Sequence, residues 1–124
     1  MKKSILYLSV TLLTFSTATF ATNVAISPIN VTSIYAKNTP LCIAIQKGEI
    51  DIVKKLIEYG ADVNEKSFGM TPLMVAARYN KVEIMKLLIS KGAFSNTKDE
   101  KGFTALKYAE LSNATGAIEL LKTV

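Results

Sequence analysis

Few side chains in this sequence are equipped for chemistry. None of the 124 residues is histidine, which removes the commonest general base, nucleophile activator and metal ligand together. Cys42 is the only cysteine, so it can form no internal disulfide and reads as a small buried apolar filler rather than a reactive thiol. It also lies too far from the N-terminus to be the acylated cysteine of a lipoprotein signal. Glu49, Asp51, Glu58, Glu83, Glu110 and Glu119 are dispersed as solvated helix faces, not gathered as an acid–base pair. The run Lys98-Asp99-Glu100-Lys101 alternates in sign and reads as a solvated hairpin tip. Asp99 and Glu100 with Asn96 lack the ligand spacing of a calcium loop, and no glycine-rich phosphate loop is present. The sequence therefore predicts no enzyme, no catalytic residue, no metal and no cofactor. Two sequons, Asn30-Val31-Thr32 and Asn113-Ala114-Thr115, have meaning only in a pathway that glycosylates.

The opening MKKSILYLSVTLLTFSTATFA sets Lys2 and Lys3 before an apolar stretch from Ile5 to Phe15 and then small residues, the layout of a secretory signal peptide. Cleavage is expected after Ala21, with Ala18 the next choice. An uncleaved anchor fits less well, because Ser9, Thr11, Thr14 and Ser16 dilute a segment already shorter than the roughly 20 apolar residues of a span. No stable membrane span is expected after cleavage. Loss of Lys2 and Lys3 lowers the formal charge from +5 to +3, too weak a bias to argue for nucleic acid as the partner.

The elements that position the remaining side chains repeat. PLCIAIQKGEIDIVKKLIEYGADVN, residues 40–64, lies over PLMVAARYNKVEIMKLLISKGAFSN, residues 72–96, without a gap at an offset of 32. The third copy, from Thr104, follows Thr71 by 33, so one residue is missing between Asn64 and Thr71. A fixed period in the low thirties marks a solenoid, in which each unit buries its apolar face against its neighbours. Thr71 before Pro72 predicts a capped helix start and a short helix to about Tyr79, with Leu73, Ala76 and Ala77 on one face. Asn80 punctuates. A second helix is predicted from about Val82 to Ser90, with Val82, Met85, Leu88 and Ile89 as its buried stripe. Gly92, like Gly60, is expected to end it in the left-handed conformation. Each unit is thus a helix pair followed by an extended loop.

The runs Gly60-Ala61-Asp62-Val63-Asn64, Gly69-Met70-Thr71-Pro72-Leu73, Ala76-Ala77-Arg78 and Leu87-Leu88 resemble the ankyrin repeat, whose T-P-L-H-x-A phrase and period of about 33 residues are distinctive. The resemblance covers residues from about 35 to 124. It implies an all-α solenoid of stacked antiparallel helix pairs with projecting hairpin-like loops, with repeats at about 35–67, 68–100 and 101–124 behind a signal peptide at 1–21 and an extended leader at 22–34. Cys42, Met74 and Lys107 stand where the family has histidine, so the hydrogen bonds of that histidine are expected to be absent, with Cys42 and Met74 compensating by packing and Lys107 turning outward. Ala105 and Glu110 suit a C-terminal cap.

Ankyrin-like units bind other proteins, through the loop before the T-P-L phrase and the inner helix after the A-A pair. Carried over by position, the resemblance implies Tyr35, Asn38, Gln46 and Lys47 in the first copy. In the second it implies Phe68, Met70, Arg78 and Tyr79, and in the third Lys101, Phe103 and Leu111. Aromatics, Met and Arg are the types enriched at interface centres. Phe94 adds a further aromatic. The alternative is that Phe68, Phe94 and Phe103 fold back over their own loops and staple a short stack. The expectation is a monomeric, exported, periplasmic or secreted module that binds another protein. The other readings are a toxin-neutralising immunity-type protein of the periplasm and a structural spacer in an envelope assembly.

Overall fold

The computed structural model describes residues 37–124. The signal peptide, the leader and Tyr35 lie outside the described residues. Among the described residues six named helices run in order: α1 Pro40–Lys47, α2 Ile50–Glu58, α3 Pro72–Arg78, α4 Val82–Ser90, α5 Ala105–Leu111 and α6 Thr115–Thr123. They pair as α1 with α2, α3 with α4 and α5 with α6, and only two or three residues join the partners. Links so short force each partner to reverse direction. Like helices of successive pairs then stack, α1 on α3 on α5 and α2 on α4 on α6, which is the solenoid architecture that the period implied.

Each inner helix starts as its sequence phrase dictates. Thr39, Thr71 and Thr104 hold extended backbone. Their hydroxyls accept from the backbone N–H three residues on, at 3.2 Å from Cys42, 3.2 Å from Met74 and 3.3 Å from Lys107. Pro40 and Pro72 occupy the first turn, where a missing N–H costs nothing. Leu41, Leu73, Ala76 and Ala77 are buried. Leu106 is only half-buried, because no fourth pair covers it among the described residues.

Met74 corrects one expectation. It is buried, but its thioether sulfur also accepts from the Thr71 backbone N–H at 3.4 Å, closing a reciprocal cap in which sulfur stands in for a side-chain oxygen or nitrogen. The polar ordering of that helix start is thus retained in weaker form. Cys42 is fully buried, and burial raises its thiol pKa above the ordinary value. Lys107 is exposed, as expected.

The buried stripe of α4 is also rotated from the expected one. Ile84, Met85 and Leu88 are buried, whereas Val82 and Ile89 are only half-buried. Val82 faces the next repeat, where its Cγ2 would lie 2.8 Å from a Cβ built on Gly116. The counterpart of Ile84 in the first repeat, Ile52, is exposed, since no earlier helix pair packs on it among the described residues. Outer helices end as predicted. Gly60 and Gly92 have φ of 97° and 95°, and the paired bonds Gly60 N–H to Ile57, Ala61 N–H to Leu56, Gly92 N–H to Ile89 and Ala93 N–H to Leu88 are those of the left-handed helix stop.

Candidate functional site

The single residue by which the repeats differ lies in the hairpins that precede α3 and α5. Ser67 and Met70 exchange backbone bonds of 2.8 and 3.0 Å around Phe68 and Gly69, whose φ values of 50° and 79° are both positive, as the tightest hairpin turn demands. In the next repeat Asp99 and Phe103 enclose three residues. Asp99 N–H donates to Phe103 O and Gly102 N–H donates to Asp99 O, both at 3.0 Å, and only Gly102 has positive φ. The longer hairpin is the three-residue form with glycine at the left-handed position.

Between the two tips and the inner helices α3 and α5 lies a groove of about 310 Å³. Phe68, Gly69 and Met70 of the shorter hairpin line one side, and Asp99, Glu100 and Lys101 of the longer one line the other; Arg78 of α3 and Tyr108 of α5 line it as well. Four residues singled out from sequence thus meet here: Phe68, Met70, Arg78 and Lys101.

Phe68 is the least comfortable of them. An aromatic side chain in the left-handed region costs about 1–2 kcal/mol against ordinary backbone, and side-chain packing compensates little of it, since Phe68 is 60% exposed. Phe94 projects likewise. Phe103, by contrast, is half-buried and meets the Tyr108 ring edge-on at 5.8 Å. The stapling alternative therefore holds for Phe103 and fails for Phe68 and Phe94.

The remaining expected contacts are elsewhere. Tyr79 adjoins the groove through Arg78, whose guanidinium carbon lies 5.9 Å from its ring centre, a favourable cation–aromatic distance. Asn38 is not a free tip. Its Oδ1 lies 2.9 Å from the buried Ser67 hydroxyl, which also sits 3.0 Å from Lys37 O and accepts from Thr39 N–H at 3.2 Å. Gln46 and Leu111 are exposed on inner helices outside the groove. Lys47 lines a different hollow, with Gly48 and Lys81, at the turns joining the helices of the first two pairs.

Asp99 and Tyr108 were not recognised from sequence. Asp99 is no mere solvated tip: Oδ1 accepts from Lys101 N–H at 2.9 Å and Phe103 N–H at 2.8 Å, while Oδ2 accepts a short hydrogen bond from the Tyr108 hydroxyl. The Tyr108 hydroxyl, then the Phe103 and Lys101 amides, hold the Asp99 pKa below its ordinary value. Reciprocally, the hydrogen bond to Asp99, then burial, then the Asp99 charge raise Tyr108, with Arg78 opposing. A carboxylate held by three donors and made less basic is poorly suited to general-base work. The local signal for part of this was available, because an aspartate bonding its own backbone two residues on, ahead of a glycine, is a known turn former.

A family model described as ankyrin repeats matches residues 41–123 in three copies. No curated protein matches the chain.

Proposed function

The chain belongs to the ankyrin-repeat family, and on that premise we propose that it is an exported, non-enzymatic module that binds another protein through the groove between its second and third repeats. Ankyrin repeats are general protein-interaction modules; what marks the face used here is Phe68. Its side chain gains little from the fold and its backbone is strained, and strain at an exposed tip is a feature of binding surfaces. Aromatic anchors beside arginine are the groups that carry most interface energy. The absence of histidine from the sequence supports a binding role over a catalytic one. The layout of residues 1–21 supports export, and the one cysteine, being buried, presents no exposed thiol to be oxidised in a bacterial periplasm.

Affinity capture from an envelope extract tests this reading. The wild-type chain is expected to enrich one partner, Phe68→Ala is expected to lose it, and Tyr59→Ala, at an 87% exposed position away from the groove, is expected to keep it. Retention by Phe68→Ala at wild-type level refutes the groove as the binding face.

A further inference from the structure

We infer that the outer face of the first helix pair is covered by the chain's own residues 32–36, Thr-Ser-Ile-Tyr-Ala, with Ile34 as the side chain laid against α1 and α2. The two ends of the stack are finished differently. In the third repeat Lys107 and Glu110 are exposed at the positions where the second repeat buries Met74 and Ala77, so the C-terminal end is closed by charge, as a terminal unit requires. The N-terminal end has no such charges. Pro72, Val75 and Ile84 are buried in the second repeat, and their counterparts in the first are Pro40, which is exposed, Ile43, half-buried, and Ile52, 46% exposed. The first pair therefore keeps the apolar face of an inner repeat without an inner repeat's neighbour among the described residues.

The sequence ahead of that face is suited to it. Between Lys3 and Lys37 there is no charged residue, whereas a solvated tail is ordinarily rich in charge. Residues 32–36 lead directly into a point fixed at the first junction: the Lys37 carbonyl accepts from Phe68 N–H at 3.1 Å and lies 3.0 Å from the Ser67 hydroxyl, just before the Thr39 cap of α1. Five residues of extended chain reach about 17 Å, more than the roughly 12 Å length of a helix such as α1, so the segment is long enough to lie along the whole of it. A tether this short holds it at a local concentration on the order of millimolar, which gives it the advantage over a free partner or a second copy.

Thermal unfolding of the full chain with Ile34→Ser, Ile52→Ser and the double variant tests the inference. Serine and isoleucine have similar helix propensity, so Ile52→Ser reads the contact rather than the helix. Each single variant is expected to lower Tm by about 4–8 °C, and the double variant by little more than either, because the two changes remove one shared contact. Disulfide trapping gives a second readout that does not depend on stability. After mild oxidation, Ile34→Cys/Ile43→Cys or Ile34→Cys/Ile52→Cys is expected to give a disulfide within one chain, whereas Ile34→Cys/Thr123→Cys, with its second thiol in α6, gives none; Cys42 is buried and does not compete. Wild-type Tm for either single variant, additive losses in the double variant, or no disulfide from either pair beyond the α6 control overturns the inference. A disulfide between chains, or a Tm that rises with protein concentration, assigns the face to a second copy and overturns it as well.

Discussion

Gly48→Asn should stabilise the protein, because the fold uses an asparagine for a task at one repeat junction and leaves that task undone at the other. Asn80 ends α3 in the left-handed region at φ 53°, and its Oδ1 accepts from the Ala117 backbone N–H at 3.0 Å. Ala117 is in the first turn of α6, a helix whose own cap residue makes no side-chain bond. The second repeat thus caps the third. One repeat earlier the corresponding residues are Gly48, with φ 75°, and Ile84 in the first turn of α4, which likewise lacks a side-chain cap. Gly48 and Ile84 line the same open hollow, so an asparagine at 48 has the room and the backbone to repeat the bond. Its Cβ would lie 3.0 Å from Lys81 Nζ, the free end of a flexible chain that can move aside. A helix cap contributes about 0.5–2 kcal/mol, and part of this is lost because asparagine fits the left-handed region less freely than glycine. A net gain of about 0.5–1 kcal/mol is expected, which raises Tm by about 2–8 °C in a domain of this size. Gly48→Ala supplies the control, since alanine pays the backbone strain and brings no cap, so it should lower Tm. Thermal unfolding followed by circular dichroism reads both. Equal Tm for the Asn and Ala variants would mean that no cap forms and would refute the reasoning.

Gly116→Ala should destabilise by about 1–3 kcal/mol, as overpacking does, because its Cβ would sit 2.8 Å from Val82 Cγ2 and 3.3 Å from Asn80 Oδ1; an unchanged urea midpoint argues against the close approach of α4 and α6. Met74→Leu keeps the volume but leaves the buried Thr71 N–H without its sulfur acceptor, so a loss of about 1 kcal/mol is expected, and a neutral result in the same assay would show that the sulfur contact is worth nothing. Acid should loosen the second hairpin. The folded pKa of Asp99 is held below the ordinary carboxylate value, so its contribution is complete above the ordinary carboxylate range and is lost as pH falls through the depressed value; protection of the Lys101 and Phe103 amides from hydrogen exchange, taken against the unstructured rate at the same pH, should fall there in the wild type, and equal acid sensitivity in Asp99→Asn would sink the assignment.

What the sequence revealed was whatever depends on neighbours along the chain. Threonine caps, prolines at helix starts and glycine stops need only a few adjacent residues, and the structure shows them at Thr39, Thr71, Thr104, Gly60 and Gly92. Contacts that require one repeat to be placed on the next were not legible. Asn80 reads locally as punctuation, and its second task is visible only when α6 is stacked beside it. Asn64 is similar: its amide donates to Gly92 O at 3.2 Å and accepts from Phe94 N–H at 3.0 Å, 28 and 30 residues away. The rotation of α4 toward Ile84 has the same origin, since a stripe read from one helix cannot tell which flank meets the preceding pair and which the next. Within the groove, residue types alone picked out Phe68, Met70, Arg78 and Lys101. Asp99 escaped because alternating charges in a loop ordinarily mean solvent, and Tyr108 escaped because nothing local ties it to a carboxylate nine residues back.

The place of the groove follows from where the repetition fails. Identical repeats would build identical junctions, yet at the position four after each capping threonine the chain has Ile43, Val75 and Tyr108, and only the last can reach a hairpin with a hydroxyl. The residue opening the hairpin differs in step. Ser67 is buried and turned back toward Asn38 and Thr39, closing the first junction, whereas Asp99 is turned onto Tyr108. The additional residue between Asp99 and Phe103 then lengthens one tip while the two-residue turn keeps Phe68 on the other. A solenoid draws its stability from what its units share, so the shared phrase can be lost at one junction only at a cost to the whole stack. The departures, the Phe68 turn and the Asp99–Tyr108 pair, lie outside that shared phrase, so they can differ from junction to junction while the caps and stops that hold the stack stay the same.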